Sequence, residues 1–330
     1  MVENRSVARE DGQQRLDRWF KRHYPGLSHG RLEKLLRKGQ IRVDGRRAKA
    51  STRLEPGQIV RVPPLGEDSR SGKPPAPTPT LSEAEAAELK ARILYQDDWL
   101  MAIDKPAGLA VQGGSRQHRH LDAFLDLLQF EKKERPRLVH RLDRDTAGVL
   151  LLARTAEAAR RLTAIFKGDE ALKLYWALVA GQPDPAAGEI DLPLGKYRSR
   201  GTEKVGPDVE EARTAISRYA LIQKTGKQVT WLALRPLTGR THQLRVHCNA
   251  IGHPILGDGK YGGRQAFPEK PWKPERLMLL AREITLPHPE DGTTLRITAP
   301  LPEHFEAAFR TLGFDSDTGY ALKAAGTLGL

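Results

Sequence analysis

A proline-rich segment near residue 70 divides the chain into two parts, and this division limits the folds available to it. Residues 63–80 contain six prolines and no periodic pattern of apolar side chains. Because proline fixes φ and lacks a backbone donor, such a segment is typical of an extended linker. We therefore predict a small unit over residues 1–62, a linker over 63–91 and a larger unit over 92–312.

Charge is distributed unevenly between the two parts. Residues 1–62 carry 16 Lys and Arg against 7 Asp and Glu, a net charge of +9, whereas the whole chain of 330 residues has +13. A small basic unit attached to a nearly neutral body is typical of a polyanion-binding module joined to a protein with another role. A basic tail that only increases solubility is the alternative.

The basic residues of the first unit follow two predicted helices. Apolar residues recur at helical spacing over residues 15–23, and again between Ser28, a suitable N-cap, and Gly39. The pair Asp44-Gly45 then predicts a hairpin. The side chains expected on the outer helical faces, where they would contact RNA, are Arg15, Arg18, Arg22, Arg31, Lys34 and Lys38.

The body of the chain favours an α+β fold in which strands outnumber helices. Short alternating segments, such as the pair on either side of residues 224–227, predict hairpins. One helix is predicted from Thr155 to Gly168, and another near Thr241, which can cap it. We expect a large mixed or antiparallel sheet. Residues 313–330 are expected to form a weakly ordered tail.

The sequence also excludes a membrane-spanning protein and a disulfide-stabilised one. The longest strongly apolar stretch, residues 148–153, is much shorter than the roughly 18–20 residues that a bilayer requires. Cys248 stands alone, which excludes an internal disulfide and a four-thiolate zinc site. The first residues form no apolar signal-peptide run. We expect a soluble protein of the reducing cytoplasm without membrane association.

The segment VHRLDRDTAGVLLLA places two carboxylates in one polar loop before an apolar strand. The arginines beside Asp143 and Asp145 favour an ionised carboxylate, which could serve as a nucleophile or an anchor. An ordinary surface turn with ion pairs is the alternative. Paired carboxylates also fit a retaining glycosidase, although residues two positions apart do not obviously face each other across a sugar.

Two further segments contain residues that could carry chemistry. On the helix near Thr241, Arg245 lies one turn from both His242 and Asn249, so the three share a face. The strand ALKLYWALVAG places Lys173 and Tyr175 on one side, although a single strand tyrosine is usually a core residue.

Zinc binding and a ligand groove are the other interpretations of the segment that follows Thr241. The spacing of His242, His247, Cys248 and His253 fits no standard zinc motif. The turn at residues 257–259, with Tyr261, fits either a ligand groove or a plain surface loop.

Residues 13–62 resemble the alpha-L RNA-binding domain of the ribosomal protein S-four type. The matching segments are RLDRWF, LSHGRLEKLLRKGQIRVDGRRA and LEPGQIVRV, in that order. The resemblance implies that this unit binds structured RNA through its helical face and has no catalytic role.

Residues 92–300 resemble the RluA-type family of RNA pseudouridine synthases. The matching segments are IDKPAGLAVQGG, HRLDRDTAG, the K-x-Y strand and GRTHQLRVH…GHPILGD…YGG. The resemblance implies a mixed, mostly antiparallel sheet with a central cleft, in which uridines of RNA are isomerised. With the alpha-L domain in front, it implies the branch that modifies large-subunit ribosomal RNA.

The resemblance also assigns roles to individual residues. It implies that Asp143 is the essential aspartate, that Tyr175 is the active-site tyrosine, and that Arg245 pairs with Asp143. It implies no metal or organic cofactor, and we expect a monomer. The residues of this unit expected to contact RNA are His140, Arg141 and Arg144. Whether Asp143 acts as a nucleophile or as a base on a glycal-like route stays open.

Two other functions remain as alternatives. A non-catalytic, ribosome-associated RNA-binding protein would have the same basic unit, but the intact set of Asp143, Tyr175 and Arg245 argues against it. A hydrolase that uses Asp143 and Asp145 would release uracil or cleave the strand.

Overall fold

A computed structural model describes residues 2–12, 14–65, 81–113, 119–199, 202–207, 209–270, 272–316 and 319–330. The chain divides into two units, Met1–Thr78 and Pro79–Leu330. Most of the predicted linker falls on residues 66–80, which lie outside the described residues, so its extended conformation stays a prediction.

The described residues of the first unit form two α-helices and a four-stranded antiparallel sheet in the order β1-β4-β2-β3. Its elements are β1 (Glu3–Ser6), a 3-10 turn (Arg9–Asp11), α1 (Leu16–His23), α2 (His29–Arg37), β2 (Arg42–Val43), β3 (Arg46–Arg47) and β4 (Ile59–Val62). The predicted N-cap at Ser28 and the predicted hairpin turn at Asp44-Gly45 are confirmed. Ser28 accepts a hydrogen bond from the Arg31 amide, and Asp44 and Gly45 both adopt the positive φ that a type I′ turn requires.

In the second unit, ten of the described strands form one sheet with helices packed against it. Its helices are α3 (Glu83–Ala91), α4 (Ala156–Lys167), α5 (Gln243–Ala250), α6 (Glu303–Leu312) and α7 (Gly319–Thr327), with 3-10 segments at Leu121–Leu128 and Gly263–Ala266. Its strands are β5 (Ile93–Gln96), β6 (Leu100–Lys105), β7 (Arg137–Leu138), β8 (Ala147–Ala153), β9 (Leu172–Ala180), β10 (Ala187–Asp191), β11 (Gly195–Ser199), β12 (Thr202–Gly206), β13 (Ile216–Thr225), β14 (Val229–Pro236), β15 (Leu279–Pro287) and β16 (Thr294–Thr298).

The large sheet has the order β10-β13-β14-β9-β15-β8-β6-β5, with β16 beside β15 and β7 beside β8. Strands β8 and β15 pair in parallel, and the other neighbours among the described strands of this sheet are antiparallel. Strands β11 and β12 form a separate hairpin. The predicted α+β class with a mixed, mostly antiparallel sheet is confirmed.

The prediction of a weakly ordered tail over 313–330 is wrong for its described part. Helix α7 buries Ala321, Ala324 and Ala325 in the same apolar cluster as the strand residues Trp176 and Trp231. Alanines at this spacing place a helix close to a sheet without any large apolar side chain. The tail therefore completes the core.

The predicted linker over 63–91 is also too long at both ends. Leu65 is buried in the apolar cluster of the first unit. At the other end, Ser82 and Glu85 form a capping box at the start of α3, whose Leu89 is buried with Met101 and Ile103 of β6. Residues 82–91 thus pack as part of the second unit.

Gly148 at the start of β8 allows the parallel approach of β15. Its φ is 110°, and a Cβ at this position would overlap the backbone carbonyl oxygen of Ala281. We expect Gly148→Ala to lower the free energy of unfolding by about 3 kcal/mol, since backbone strain and overpacking each cost roughly 1–3 kcal/mol.

Chemical denaturation of Gly148→Ala and of Gly292→Ala tests this expectation. Gly292 has a φ of 76°, but a methyl group added there would meet no neighbouring atom within 4 Å, so this variant isolates the cost of backbone strain. Equal losses of unfolding free energy in the two variants would show that the close approach of β15 at Gly148 adds no cost beyond backbone strain.

Candidate active site

The polar loop between β7 and β8 holds Asp143 in a cleft of the second unit. The Asp143 side chain is 17% exposed, and its carboxylate makes no hydrogen bond with any described residue. Two nitrogen atoms flank it, each at 3.9 Å: Nη1 of Arg245 faces Oδ2, and Nε2 of His242 faces Oδ1. The carboxylate therefore lies near two side-chain nitrogen atoms but remains free to contact a ligand.

Lys105 fixes the backbone on which this loop depends. Its side chain is fully buried, and Nζ donates hydrogen bonds to the carbonyl oxygens of Pro106, Leu109 and Arg144 at 2.8–3.0 Å. Burial lowers the pKa of Lys105 to about 7, although the negative charges of nearby aspartates oppose this shift. These hydrogen bonds connect the end of β6 to the loop that contains Asp143.

A cavity of about 330 Å³ opens beside Asp143. This volume is within the range of small-ligand sites in proteins. The residues that line it come from the Asp143 loop, the end of α4, strand β9 and the segment leading into α5. They include His140, Arg141, Asp143, Thr146, Phe166, Asp169, Lys173, Tyr175, Arg240, Thr241, His242 and Arg245.

Tyr175 contributes an aromatic ring to this cavity from β9. Burial raises the pKa of its hydroxyl, and the negative charge of Asp143 raises it further. Tyr175 therefore keeps its proton at neutral pH. Lys173, two residues earlier on the same side of the strand, also lines the cavity, and burial lowers its pKa.

Arg245 and Asp143 meet in the cleft, but the tight partner of Arg245 is Asp258. Nε and Nη2 of Arg245 donate to the two oxygens of Asp258, both at 2.8 Å, and the Asp258 side chain is only 1% exposed. The predicted pairing of Arg245 with Asp143 exists only as the 3.9 Å contact, which is too long for a hydrogen bond.

The direction of the pKa shift of Arg245 agrees with its close pairing to Asp258. Burial alone lowers the pKa of the guanidinium, but the hydrogen bonds to Asp258 and the charges of Asp258 and Asp143 raise it above its ordinary value. Arg245 is thus a fixed positive charge beside Asp143.

His242 lies immediately before α5 and contacts Tyr261. Helix α5 begins at Gln243, and its N-cap is His242 with a φ of 54°, so the predicted capping role of Thr241 is wrong. Nδ1 of His242 lies 2.6 Å from the Tyr261 hydroxyl. Burial lowers the pKa of His242 to about 4, although the charge of Asp143 opposes the shift, and burial raises the pKa of Tyr261 to about 12. Both groups are uncharged at neutral pH.

The loop residues predicted to contact RNA differ in their surroundings. Nε2 of His140 accepts a hydrogen bond from the Leu151 amide, and burial lowers the pKa of His140 to about 3, so this ring is neutral. Arg141 is exposed at the cavity and has no ion pair with a described residue. Arg144 pairs with its neighbour Asp145 at 2.9 Å. Arg141 is therefore the available cation of the three.

The geometry argues against two alternatives from the sequence, the retaining glycosidase and the zinc site. Asp145 lines a second cavity and not the one beside Asp143, so the two carboxylates do not face each other across a single site. The rings of His247 and His253 form hydrogen bonds with protein oxygens. The described residues contain no cluster of three or more His, Cys, Asp or Glu that could hold a metal ion.

In the first unit, the basic side chains predicted to contact RNA are exposed. Arg15 pairs with Asp17, and Arg22 pairs with the buried Asp11. The other four are exposed on α1, α2 or the residue after α2: Arg18, Arg31, Lys34 and Lys38. Their role in RNA binding stays a prediction.

Sequence reasoning missed Lys105, the function of Asp258 as partner of Arg245, and the contact between His242 and Tyr261. Each residue lies within a segment that carried the family resemblance, which is the signal that could have found them. Their contacts join positions that are 13–39 residues apart and cannot be read from local spacing.

None of the described helices is long and apolar enough to cross a bilayer.

Comparison with known proteins identifies both units. Residues 99–250 match the family described as RNA pseudouridylate synthase, and residues 14–60 match the S4 domain. The chain is 37% identical to the ribosomal large subunit pseudouridine synthase C of Vibrio cholerae serotype O1, over 89% of this chain and 92% of that protein. The protein of the same name from Salmonella typhi is 34% identical over 93% and 95% of the two chains.

A solved structure supports the same assignment. The chain called human RNA pseudouridylate synthase domain containing 4 is 29% identical and superimposes with a TM-score of 0.59, covering 71% of this chain and 98% of that one. The two sequence relatives are more than 30% identical over nearly the whole chain. On these grounds, this chain belongs to the family of RNA pseudouridine synthases, which are isomerases.

Proposed function

We propose that this protein isomerises particular uridines of large-subunit ribosomal RNA to pseudouridine, with Asp143 as the catalytic carboxylate. The observation that carries the proposal is the placement of Asp143. Its carboxylate borders a cavity of about 330 Å³, makes no hydrogen bond with a described residue and lies 3.9 Å from Arg245. The names of the sequence relatives support the ribosomal large subunit as the source of substrate.

The reaction rearranges one nucleoside without any external reagent. The bond between N1 of uracil and C1′ of ribose breaks, the base turns in the site, and C5 bonds to C1′. The hydrogen of C5 is lost as a proton, and N1 gains a proton. Because the reacting atoms are hidden in a stacked helix, the uridine has to leave the stack and enter the cavity.

Asp143 acts on the ribose in this scheme. As a nucleophile it would attack C1′, and on a glycal-like route it would act as a base. Both routes require an ionised carboxylate with a free oxygen, and the Asp143 carboxylate has no hydrogen bond to a described residue that would have to be broken first.

Tyr175 and Arg245 complete the proposed site. The ring of Tyr175 can stack on the flipped uracil, and its protonated hydroxyl can donate to the base as C5 and N1 exchange positions. Arg245 stabilises the negative charge of Asp143 while Asp258 holds its guanidinium in place. Arg141, exposed at the rim, is suited to a phosphate of the substrate strand.

Release of tritium tests the function directly. A large-subunit ribosomal RNA transcript containing uridine tritiated at carbon-5 is incubated with the full chain, and modified positions are mapped by carbodiimide blocking of reverse transcription. We expect tritium in water and a small number of blocked positions, with the RNA intact. Free uracil, strand cleavage or the absence of tritium release would overturn the proposal.

The first unit should contribute affinity through its charge. We expect removal of residues 1–78 to leave a folded second unit that binds the transcript more weakly and with a shallower dependence on salt. The reason is that fewer phosphates are neutralised and fewer counterions are released. Circular dichroism tests folding, and titrations at several salt concentrations test binding.

A charge-reduced full chain is the matched control for the truncation. Arg18, Arg31 and Lys34 are exposed, so replacing all three with Gln preserves the fold of the first unit while removing three charges. This variant should reproduce part of the loss in salt dependence. An unchanged salt dependence in both proteins would show that the first unit does not contact RNA phosphates.

A further inference from the structure

His242 has a strained backbone and a half-buried ring at the start of helix α5. Its φ of 54° lies in the left-handed region that non-glycine residues rarely adopt, and such strain persists where the surroundings require it. The side chain is 18% exposed and lines the cavity beside Asp143. Its position is therefore imposed by the site.

The hydrogen-bond partners of Tyr261 favour one tautomer of His242. The Tyr261 oxygen accepts a hydrogen bond from the Val205 amide at 3.2 Å and lies 2.6 Å from Nδ1 of His242. Among the described residues, Nδ1 is the acceptor within reach of the hydroxyl proton. If Tyr261 donates to Nδ1, the neutral imidazole must carry its own proton on Nε2.

The Nε2 atom of His242 is the one that faces Asp143, 3.9 Å from Oδ1. Arg245 approaches the other oxygen, Oδ2, at the same distance. We propose that His242 is a positioning residue for the Asp143 carboxylate, and that Tyr261 holds its ring in the Nε2–H form required for this task. This inference rests on the proposed role of Asp143 as the catalytic carboxylate.

One turn, residues 257–261, anchors both groups that flank Asp143. Asp258 binds Arg245 through its two carboxylate oxygens, and its Oδ1 also accepts hydrogen bonds from the amides of Lys260 and Tyr261. The Tyr261 hydroxyl contacts His242, and the Arg245 guanidinium lies 5.1 Å from the centre of the Tyr261 ring. The turn therefore sets the two donors relative to each other.

Tyr261 also joins this turn to the β11–β12 hairpin. The amide that donates to its hydroxyl belongs to Val205 of β12, whose side chain is buried. The position of the hairpin is thus connected through Tyr261 and His242 to Asp143. The sequence left open whether the turn at residues 257–261 forms a ligand groove or a plain surface loop. In this proposal the turn holds the two side chains that flank Asp143.

The first test removes a single oxygen atom. Tyr261→Phe keeps the ring beside Arg245 but loses the hydroxyl that holds His242. We expect the single-turnover rate of tritium release to fall about 10-fold, the amount that corresponds to one positioning hydrogen bond, with unchanged affinity for the transcript. Tyr219→Phe is the matched control, because it removes the hydroxyl of another buried tyrosine, and that hydroxyl donates to the Pro185 carbonyl oxygen and not to His242.

The second test asks whether the two residues act through the same contact. His242→Asn keeps a side chain that tolerates positive φ but cannot replace the imidazole. It should slow the reaction at least as much as Tyr261→Phe, and the double variant should be no slower than His242→Asn alone. Additive losses in the double variant would overturn the proposal, as would a Tyr261→Phe rate equal to that of Tyr219→Phe.

A spectroscopic measurement detects the tautomer without an activity assay. Nitrogen-15 spectra of histidine-labelled full chain, with His242 assigned by its loss in His242→Asn, should show the Nε2–H form, and Tyr261→Phe should reduce its population. An Nδ1–H ring in the unmodified chain would overturn the inference. If the unmodified chain released no tritium, the proposed function would fail instead, whatever the state of His242.

Discussion

Asp143→Asn is expected to abolish pseudouridine formation while RNA binding remains nearly intact. The two side chains have almost the same size and shape, so the substitution removes the charge and little else. A neutral carboxamide is a far weaker nucleophile and base than a carboxylate, and we expect tritium release to fall by at least roughly 10⁴-fold. Affinity for the transcript, measured by filter binding, should change by less than about twofold.

Asp145→Asn provides the matched control for this loss. Asp145 lies two residues away in the same loop, but it pairs with Arg144, its side chain is 40% exposed and it lines a different cavity. Removing its charge should cost little, as is usual for exposed ion pairs. Substantial activity in purified Asp143→Asn, or an equal loss in both variants, would contradict the assignment of Asp143.

The parts of the fold that the sequence predicted depend on local chemistry. The hairpin at Asp44-Gly45 and the cap at Ser28 each follow from a few adjacent residues whose backbone preferences act directly. Helix α7 could not be predicted in this way, because its alanines have no strong apolar signal. They become core residues only because β13 and β14 lie where a small face can pack closely.

In the candidate active site too, the sequence predicted the residues that lie in local motifs but not the tertiary contacts that support them. Asp143, Tyr175 and Arg245 lie in specific motifs, and the structure brings all three to one cavity. Their supporting contacts are tertiary: Lys105 reaches the Arg144 carbonyl across 39 positions, and Arg245 reaches Asp258 across 13. A carboxylate in a Gly-Asp-Gly turn has the sequence pattern of a surface loop, and only the folded chain reveals that Asp258 is 1% exposed.

Arg245→Ala is expected to reduce both stability and activity, for different reasons. Its loss leaves the buried Asp258 without its two hydrogen bonds from Arg245, and breaking a buried pair in this way costs about 3–5 kcal/mol of unfolding free energy. It also removes the positive charge beside Asp143, and loss of such a preorganised donor slows reactions roughly 100-fold or more. Arg245→Lys keeps the charge but not the two-pronged geometry, so both losses should be intermediate.

A double variant separates the two effects. Replacing the pair together, as Arg245→Met with Asp258→Asn, removes both buried charges, and the Asn side-chain oxygen can still accept the Lys260 and Tyr261 amides that hold the turn. We expect chemical denaturation to give a stability near that of the unmodified chain, while tritium release stays as low as in Arg245→Ala. Recovery of activity together with stability would mean that Arg245 serves only to neutralise Asp258. Stability without activity would mean that the charge itself is needed, because Asp143 then has an intact fold around it but no guanidinium beside its free oxygen.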